Sequence, residues 1–411
     1  MTHVRALGLA GILGLLWTVV GCGSDDRSVA ERDTFSGSDR ASGESAAVTN
    51  STPGPMSAGG LSPADPAAPG ADLAPSSGSA TATSVAPSGT PAPPADRVAS
   101  DPPAGQAPLP PPQPGVQPGT LTAGAWDDNR NITRFLAYRQ GLHDEQMQGL
   151  LDFTLEEHTA AQVRTQPGAH TTLDISLVVD TTGSMGDELE YLQTEFLAIS
   201  QTIEANYPNA EQRWSLVAYR DRGDAYTVRP FDFETDPDVF RSRLAEQGPG
   251  GGGDIPEAPE AAFEAMNQLS WRSGDATARL AFWVADAPHH DDKAPALKAA
   301  IEAAQAQGVH IYPVASSGIN ELMELTMRSA AQLTGGRYLF LTDDSGVGAA
   351  HKEPSIPCYF VTKLDSAILR MVDIEMTGVY REPTSAELIR AGGNPQSGAC
   401  TLESGQTVYV F

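Results

Sequence analysis

Hydrophobic residues in the second half of the chain form short, nearly continuous runs separated by longer stretches with helical spacing. The runs are rich in Val, Ile, Leu and aromatic residues, as expected for strands covered on both faces. They lie at residues 173–179, 214–219, 280–285, 309–315 and 338–341. The stretches between and after them predict helices at 188–205, 237–246, 256–269, 293–307, 319–333 and 360–376. Strands alternating with helices predict an α/β fold with a doubly wound, mostly parallel sheet.

Three segments depart from this alternation. Residues 214–219 and 226–231 are joined only by "RDRGDA", which predicts a hairpin and one antiparallel edge strand. Residues 121–140, "LTAGAWDDNRNITRFLAYRQ", predict a turn-rich start followed by a helix that packs on the main domain. The alternating end "TVYVF" predicts a terminal strand.

The first 120 residues have a different character. A short basic start and an apolar run lead to "VVGC", which resembles the lipobox of bacterial lipoproteins. This resemblance implies cleavage before Cys22 and attachment of lipid to its thiol; alternatively, the segment is an ordinary cleaved signal and Cys22 is incidental. The following stretch consists mainly of Ala, Pro, Gly, Ser and Thr, has no hydrophobic period, and is predicted to be a disordered tether.

These observations predict the organisation of the whole chain. It comprises a signal peptide at 1–21, a tether at 22–120, a flanking segment at 121–170, an α/β domain at 171–378 and a C-terminal extension at 379–411. We expect a lipid-anchored protein of the cell envelope, and Gly23 after the cysteine favours the outer membrane. In an oxidising compartment Cys358 and Cys400 are predicted to pair, although two unpaired buried thiols fit the spacing as well.

Charge narrows the choice of partners. The chain has 52 acidic and 26 basic residues, a formal net charge of -26, and no Lys/Arg-rich run. Nucleic acid and anionic membrane surfaces are therefore poor electrostatic partners, whereas cations are suitable ones.

A group of oxygen-bearing side chains follows the first predicted strand of the domain. In a doubly wound sheet the loops at the carboxyl ends of the strands form the ligand crevice. Asp180, Thr182 and Ser184 alternate there, and Gly183 permits the turn. Carboxylate and hydroxyl oxygens are ligands for hard divalent cations such as Mg²⁺. The same spacing also suits a helix N-terminus capped by Thr182 or Ser184, and both interpretations are compatible.

The stretch "VVDTTGSM" resembles the metal-ion-dependent adhesion site of von Willebrand factor type A domains, D-x-[ST]-x-S, and the element order of residues 171–378 is similar to that fold. The resemblance implies a Mg²⁺ site, or one for Mn²⁺ or Ca²⁺, that accepts an acidic side chain from a protein partner. The loop "GGGGDIPEA" is similar to the integrin β-subunit variant, which implies that Glu257 is a ligand. In "VADAPHH", the resemblance implies that Asp286 acts through water.

Secondary cation sites are also implied by this resemblance. "VAYRD" resembles an integrin β stretch that binds a neighbouring cation, which implies Asp221 together with Asp254, although Gly252 stands where an asparagine is expected. "SMGDE" implies a third site with Asp187 and Glu188. Alternatively, Asp221 and Asp254 are turn formers, while Glu257, Asp187 and Glu188 are acids in the first turns of helices.

A hydrolytic function has one sequence feature in its favour. "DAPHHDD" brings together residues that are able to bind zinc: Asp286, His289, His290, Asp291 and Asp292. The chain has no H-E-x-x-H, G-x-S-x-G or G-x-x-x-x-G-K-[ST] motif. We therefore predict a non-enzymatic binding domain, with a structural envelope scaffold whose loops are fastened by metal as the alternative.

Overall fold

The computed structural model describes residues 120–164, 168, 170–253 and 255–411. The predictions for the signal peptide, Cys22, the tether and Asp254 lie outside the described residues. The strands are β1 Thr122–Trp126, β2 Thr172–Asp180, β3 Glu211–Tyr219, β4 Val228–Glu234, β5 Thr277–Ala285, β6 Val309–Ala315, β7 Tyr338–Leu341, β8 Tyr359–Lys363, β9 Arg390–Gly392, β10 Ala399–Thr401 and β11 Thr407–Tyr409. The helices are α1 Ile132–Asp144, α2 Leu155–Arg164, α3 Gly186–Asn206, α4 Pro237–Ala245, α5 Pro259–Met266, α6 Ala294–Ala306, α7 Glu321–Thr334 and α8 Leu364–Thr377.

Nine strands form one sheet in the order β4-β3-β2-β5-β6-β7-β1-β8-β9. Five neighbouring strands in this order, β3, β2, β5, β6 and β7, are parallel. This arrangement confirms the predicted doubly wound, mostly parallel sheet. Strand β4 is the antiparallel edge strand expected from the hairpin. The opposite edge, β9, is antiparallel to β8 as well, so the expectation of a single antiparallel edge strand was too narrow.

Helices cover both faces of the sheet, and this burial explains the continuous apolar runs. One core contains Val178 of β2 together with residues of α1, α5, α6 and α7. The other contains Val179 of β2 and side chains of α3, α4 and α8. Consecutive residues of β2 therefore face different cores, and its carboxyl end is held rigidly between them.

Strand β1 lies within the sheet, antiparallel to both β7 and β8. The sequence predicted a turn-rich start here, and that was wrong because "TAGAW" pairs on both sides although it carries few large apolar residues. A Cβ atom added to Gly124 would lie 2.1 Å from the Phe340 ring, so only glycine fits. Asp128, which follows β1, receives hydrogen bonds of 2.8 Å from the buried Arg328 of α7, so the flanking segment packs firmly on the domain.

Two predicted helices have different bounds in the structure. The helix predicted for 360–376 begins only at Leu364, because residues 359–363 form β8 and pair with β1 and β9. The helix predicted for 256–269 is the shorter α5, since residues 256–258 follow the glycine loop into the site described below. The first error arose because an apolar run crosses the boundary between β8 and α8.

The C-terminal extension returns to the domain. Strands β10 and β11 form a separate hairpin, and Cys400 of β10 is bonded to Cys358, with 6.4 Å between their Cα atoms. Phe411 is buried and its carbonyl accepts a hydrogen bond from Arg370 of α8. Within the part of the chain that the structure describes, no helix has the length and apolar character needed to cross a membrane.

Candidate metal centre

The carboxyl end of β2 places three of the predicted ligands together. Asp180 is fully buried, and its Oδ1 accepts hydrogen bonds from the backbone N–H of Thr182 at 2.9 Å and from the Thr182 hydroxyl at 2.7 Å. The Thr182 Oγ1 atom lies 3.4 Å from the Oγ of Ser184, which is exposed. No side-chain cap hydrogen bond comes from Thr182 although it precedes a short 3₁₀ turn. Its hydroxyl is therefore directed to Asp180 rather than to a helix N–H.

Glu257 and Asp286 approach this group from two other loops. The Glu257 N–H donates to the Pro288 carbonyl at 2.9 Å, and Glu257 pairs with His289 in an isolated bridge, so the two loops are tied by their backbones. Asp286 follows β5 and lies near the Ser184 hydroxyl, which opposes the rise in the Asp286 pKa. The exposed fractions of Glu257 and Asp286 are 2% and 9%. The structure thus brings the five predicted ligands to one edge of the sheet.

Among the residues that the structure describes, each of the three carboxylates keeps one buried oxygen without a hydrogen-bond partner. These atoms are Oδ2 of Asp180, Oε2 of Glu257 and Oδ1 of Asp286. An unpartnered buried carboxylate oxygen is costly, and a cation is the group that compensates it most fully. The donor set of carboxylates and hydroxyls therefore fits a hard divalent ion, and the exposed Ser184 marks the open side.

The glycine loop closes over this site. A Cβ atom added to Gly252 would lie 3.1 Å from the Thr182 Cβ and 3.4 Å from Oε1 of Glu257, and the φ angle of 71° at Gly252 is one that glycine adopts readily. A Cβ atom on Gly183 would lie 3.2 Å from the Gly251 carbonyl. Glycines on both sides let the two loops approach, and the asparagine expected at Gly252 from the resemblance would adopt a strained φ and press on Thr182.

Burial and mutual repulsion destabilise the charged forms of the carboxylates. Burial, with the nearby Asp286, raises the pKa of Asp180 to about 7. Burial, with Asp180 and Asp221, raises the pKa of Glu257 to about 9. Burial also raises the pKa of Asp286 to about 6, against the opposing effect of the nearby Ser184 hydroxyl. The site concentrates negative charge that its own residues do not neutralise.

The described residues that were predicted for secondary cation sites contact different partners. Asp221 Oδ1 lies 2.7 Å from Nε2 of His290. Glu188 is buried and accepts hydrogen bonds from the backbone and hydroxyl of Ser317, whereas Asp187 is exposed. These two neighbours in sequence are therefore directed to different surroundings. Asp254 lies outside the described residues.

The histidines of the hydrolytic hypothesis do not converge. His289 Nε2 lies 2.9 Å from the Gly149 carbonyl, while His290 contacts Asp221. Asp291 and Asp292 are exposed. Within the described ranges, no three Asp, Glu, His or Cys side chains form a metal-binding group by themselves. Among these residues, an ion at the β2 edge would therefore use the hydroxyls of Thr182 and Ser184 in addition to the carboxylates.

Two residues near the site were not predicted from the sequence. Asp224 Oδ2 accepts a hydrogen bond of 3.2 Å from the Gly252 N–H and so holds the glycine loop. Arg220 lies close enough to oppose the rise in the Asp180 pKa, while its guanidinium donates to the Gly248 carbonyl at 2.7 Å. Both belong to the β3–β4 connection, "RDRGDA". Its many charged residues are the sequence feature that indicates a role near the site.

Comparison with known proteins identifies the domain that contains these residues. Residues 174–347 match the family model described as the von Willebrand factor A domain. This part of the chain is a von Willebrand factor A domain. The match begins in β2 and ends after β7, so it contains all five predicted ligands, whereas β1 and the C-terminal extension lie outside it.

Two curated proteins match this chain over short regions. An ariadne-like RING finger protein of Acanthamoeba polyphaga mimivirus is 32% identical over 118 residues, which are 29% of this chain and 11% of that protein. The alpha-protein kinase vwkA of Dictyostelium discoideum is 24% identical over 119 residues, 29% of this chain and 19% of that protein. The chain therefore spans less than a fifth of the length of either relative.

A solved structure also resembles the chain. The conserved hypothetical protein BatB from Bacteroides thetaiotaomicron is 12% identical, with a TM-score of 0.32, and the match covers 41% of this chain and 89% of that one.

Proposed function

We propose that the von Willebrand factor A domain binds Mg²⁺, with Mn²⁺ or Ca²⁺ as alternatives, and through it an acidic side chain of a protein partner. The observation that carries the proposal is the set of three buried carboxylate oxygens without partners beside two hydroxyls. The ligands are Asp180, Thr182, Ser184 and Glu257, with Asp286 acting through water. The role is non-enzymatic.

The residues of the site have distinct tasks in this proposal. Asp180 supplies charge from a rigid strand end, and its Oδ1 fixes the Thr182 hydroxyl at 2.7 Å. Glu257 and Asp286 add charge from loops that are joined by backbone hydrogen bonds. A bound divalent ion would supply a positively charged attachment point for a carboxylate on the open side near Ser184.

The rim of the site offers an apolar contact beside that attachment point. Ile255 is 70% exposed and lies in the same loop as Glu257. A large aliphatic side chain at this exposure is suited to burial against a partner. We expect the partner to present an acidic residue with an apolar neighbour, so that both features are used together.

We further propose that the chain acts from the cell envelope. The lipobox resemblance at Cys22 and the tether at 22–120 support a lipid-anchored protein, favouring the outer membrane, whose binding domain is held away from the lipid. The membrane is thus a partner only through the N-terminal anchor. The negative net charge makes nucleic acid an unsuitable partner.

Selection of random peptides displayed on phage tests the binding function directly. The purified chain is used as bait in Mg²⁺, with EDTA and with Asp180→Ala as counter-selections. We expect enriched peptides to contain Asp or Glu, and the matched Asp→Asn or Glu→Gln peptides to lose binding. A structural scaffold would instead bind Mg²⁺ without enriching acidic peptides. Binding that persists in EDTA would contradict the proposed mechanism.

A further inference from the structure

A cavity of about 610 Å³ lies at the amino edge of the sheet, opposite the candidate metal centre. Its lining includes Trp271 and Arg272 from the loop before β5, Arg279 of β5, Gln305 at the end of α6, and Gly308 before β6. This volume is typical of sites for small molecules. None of these residues belongs to the site at the other edge, so any ligand here is separate from the metal.

Three arginines cluster around one buried aspartate beside this cavity. Asp174 of β2 stands in register between Arg213 of β3 and Arg279 of β5. Both carboxylate oxygens of Asp174 are occupied, since Arg213 donates to them at 2.9 and 2.6 Å and Arg272 donates at 2.8 Å from its backbone and its side chain. Three guanidinium groups therefore surround one buried carboxylate.

Arg279 is the member of this group that lacks an acidic contact. Its Nε donates to the Arg272 carbonyl and its Nη2 donates to the Gly274 carbonyl at 2.6 Å. Among the residues that the structure describes, no Asp or Glu lies within ion-pair distance of it. Its Nη1 lies beside Gly308, 3.1 Å from the position of an added Cβ atom, on the cavity wall. Nε and Nη2 therefore hold the loop through its carbonyl groups, whereas Nη1 is available to a ligand in the cavity.

The nearest acids compensate the charge of Arg279 only in part, because Asp174 and Asp275 act on it without an ion-pair contact. Glu375, at the far end, is paired with His310 at 2.7 Å and with Arg337 at 3.3 Å. Asp275 is exposed to solvent. Burial lowers the pKa of Arg279, as it does for a cation whose charge is only partly compensated. An external anion would complete this arrangement.

The rest of the wall indicates the kind of anion. Trp271 is partly buried, and its indole Nε1 already donates to the Met266 carbonyl at 2.9 Å, so the ring offers an apolar face rather than a free donor. Gln305, an amide, lies on the α6 side. A guanidinium binds planar carboxylates well, and an aromatic ring packs against flat apolar groups.

We propose that this cavity binds a small organic carboxylate, with the carboxylate on Arg279 and the apolar body of the ligand against Trp271. The site is independent of the proposed metal-dependent function, because it lies at the opposite edge of the sheet and uses different residues. It gives the chain a second ligand, of opposite charge to the first.

Benzoate is a suitable probe, with neutral benzamide of the same shape as its matched control. Binding to the purified full chain in EDTA is measured by calorimetry and by the change in tryptophan fluorescence. We expect saturable benzoate binding and at least about tenfold weaker benzamide binding, since a hydrogen-bonded charge is lost. Absence of saturable benzoate binding, or equal affinity for benzamide, would overturn the proposal.

Substitutions locate the binding. Arg279→Gln removes the guanidinium, and Ala306→Trp fills the cavity from an exposed position at the end of α6. Both should weaken benzoate binding at least about tenfold, whereas Arg241→Gln, on the exposed surface of α4, should not change it. Thermal unfolding identifies a variant that fails to fold, and Ala306→Trp leaves the hydrogen bonds of Arg279 intact. Wild-type affinity in both cavity variants would contradict the assignment.

Discussion

Strand β2 carries a buried aspartate at each end, and the two have opposite surroundings. Asp174 and Asp180 are both fully buried. Asp174 receives hydrogen bonds from Arg213 and Arg272, which outweigh burial and lower its pKa. Among the described residues, Asp180 receives hydrogen bonds only from Thr182, and burial with Asp286 raises its pKa to about 7. Burial by itself therefore does not determine the state of a carboxylate; the neighbouring charges do.

The two carboxylates differ in whether the protein itself supplies a counter-charge. At the amino edge Arg213 and Arg272 supply the cations for Asp174, and Arg279 makes no ion pair among the described residues. At the carboxyl edge it gathers Asp180, Glu257 and Asp286 and leaves an oxygen of each without a partner. The same substitution at the two ends of one strand should consequently have opposite effects on stability.

The largest effect is expected for Asp174→Asn. The change leaves Arg213, Arg272 and Arg279 without their shared counter-charge, and loss of one partner of a buried ion pair costs roughly 3–5 kcal/mol. Because both paired arginines are partly exposed, we expect about 3 kcal/mol. Denaturant unfolding of the full chain in EDTA measures it. If Asp174→Asn lowers the free energy of unfolding no more than Asp238→Asn at an exposed site, Asp174 is not the structural carboxylate described here.

Addition of Mg²⁺ should have the next largest effect. An ion that binds only the folded chain stabilises it by about 2.7 kcal/mol at a concentration of 100 times the dissociation constant. We expect this gain for the wild type and for Asp174→Asn if the variant folds, but not for Asp180→Asn. Thermal unfolding with and without Mg²⁺ provides the measurement, and an equal gain in all three proteins would place the ion elsewhere.

Asp180→Asn in EDTA should raise stability. The amide keeps the acceptor that Thr182 uses, while the buried charge near Asp286 and Glu257 is removed. The gain should be about 1 kcal/mol, because an uncharged polar atom remains buried. The same unfolding experiment as for Asp174→Asn applies, and a loss of stability would mean that Asp180 has a structural role.

The smallest effect concerns acid stability. The folded-state pKa of Asp174 is lowered, so its ion pairs stabilise the protein above the unfolded pKa, which is about 4, and this contribution is lost as pH falls through the folded value. Wild-type stability should therefore fall more steeply below about pH 4 than that of Asp174→Asn. Denaturant unfolding over an acidic pH series tests this prediction, and parallel curves would contradict it.

The sequence predicted the parallel core well because its strands are buried on both faces. Residues 309–315 and 338–341 were predicted with the bounds that the structure has. Strand β1 was missed because its "TAGAW" is specified by pairing with β7 and β8 and by the close approach of Gly124 to Phe340, and pairing over such a distance leaves no local pattern. Strand β8 was predicted as part of a helix because its apolar residues continue into α8.

The candidate site was predictable to the extent that its residues are neighbours in sequence. Asp180, Thr182 and Ser184 form a compact motif after a strand, and the resemblance supplied Glu257 and Asp286. The amino edge offered no such motif, because Asp174, Arg213 and Arg279 meet only through the order and register of three strands. The contact of Asp221 with His290 likewise depends on two loops that are distant in sequence.

The most direct test of the account is a calorimetric titration of Mg²⁺ into the metal-free full chain, with Asp180→Asn and the exposed-site control Asp238→Asn alongside. The account predicts saturable binding to the wild type and to Asp238→Asn, and none to Asp180→Asn, with the same order for Mn²⁺. Binding that survives Asp180→Asn, or no binding to the wild type, would contradict the claim that the unpartnered carboxylates at the end of β2 form a cation site.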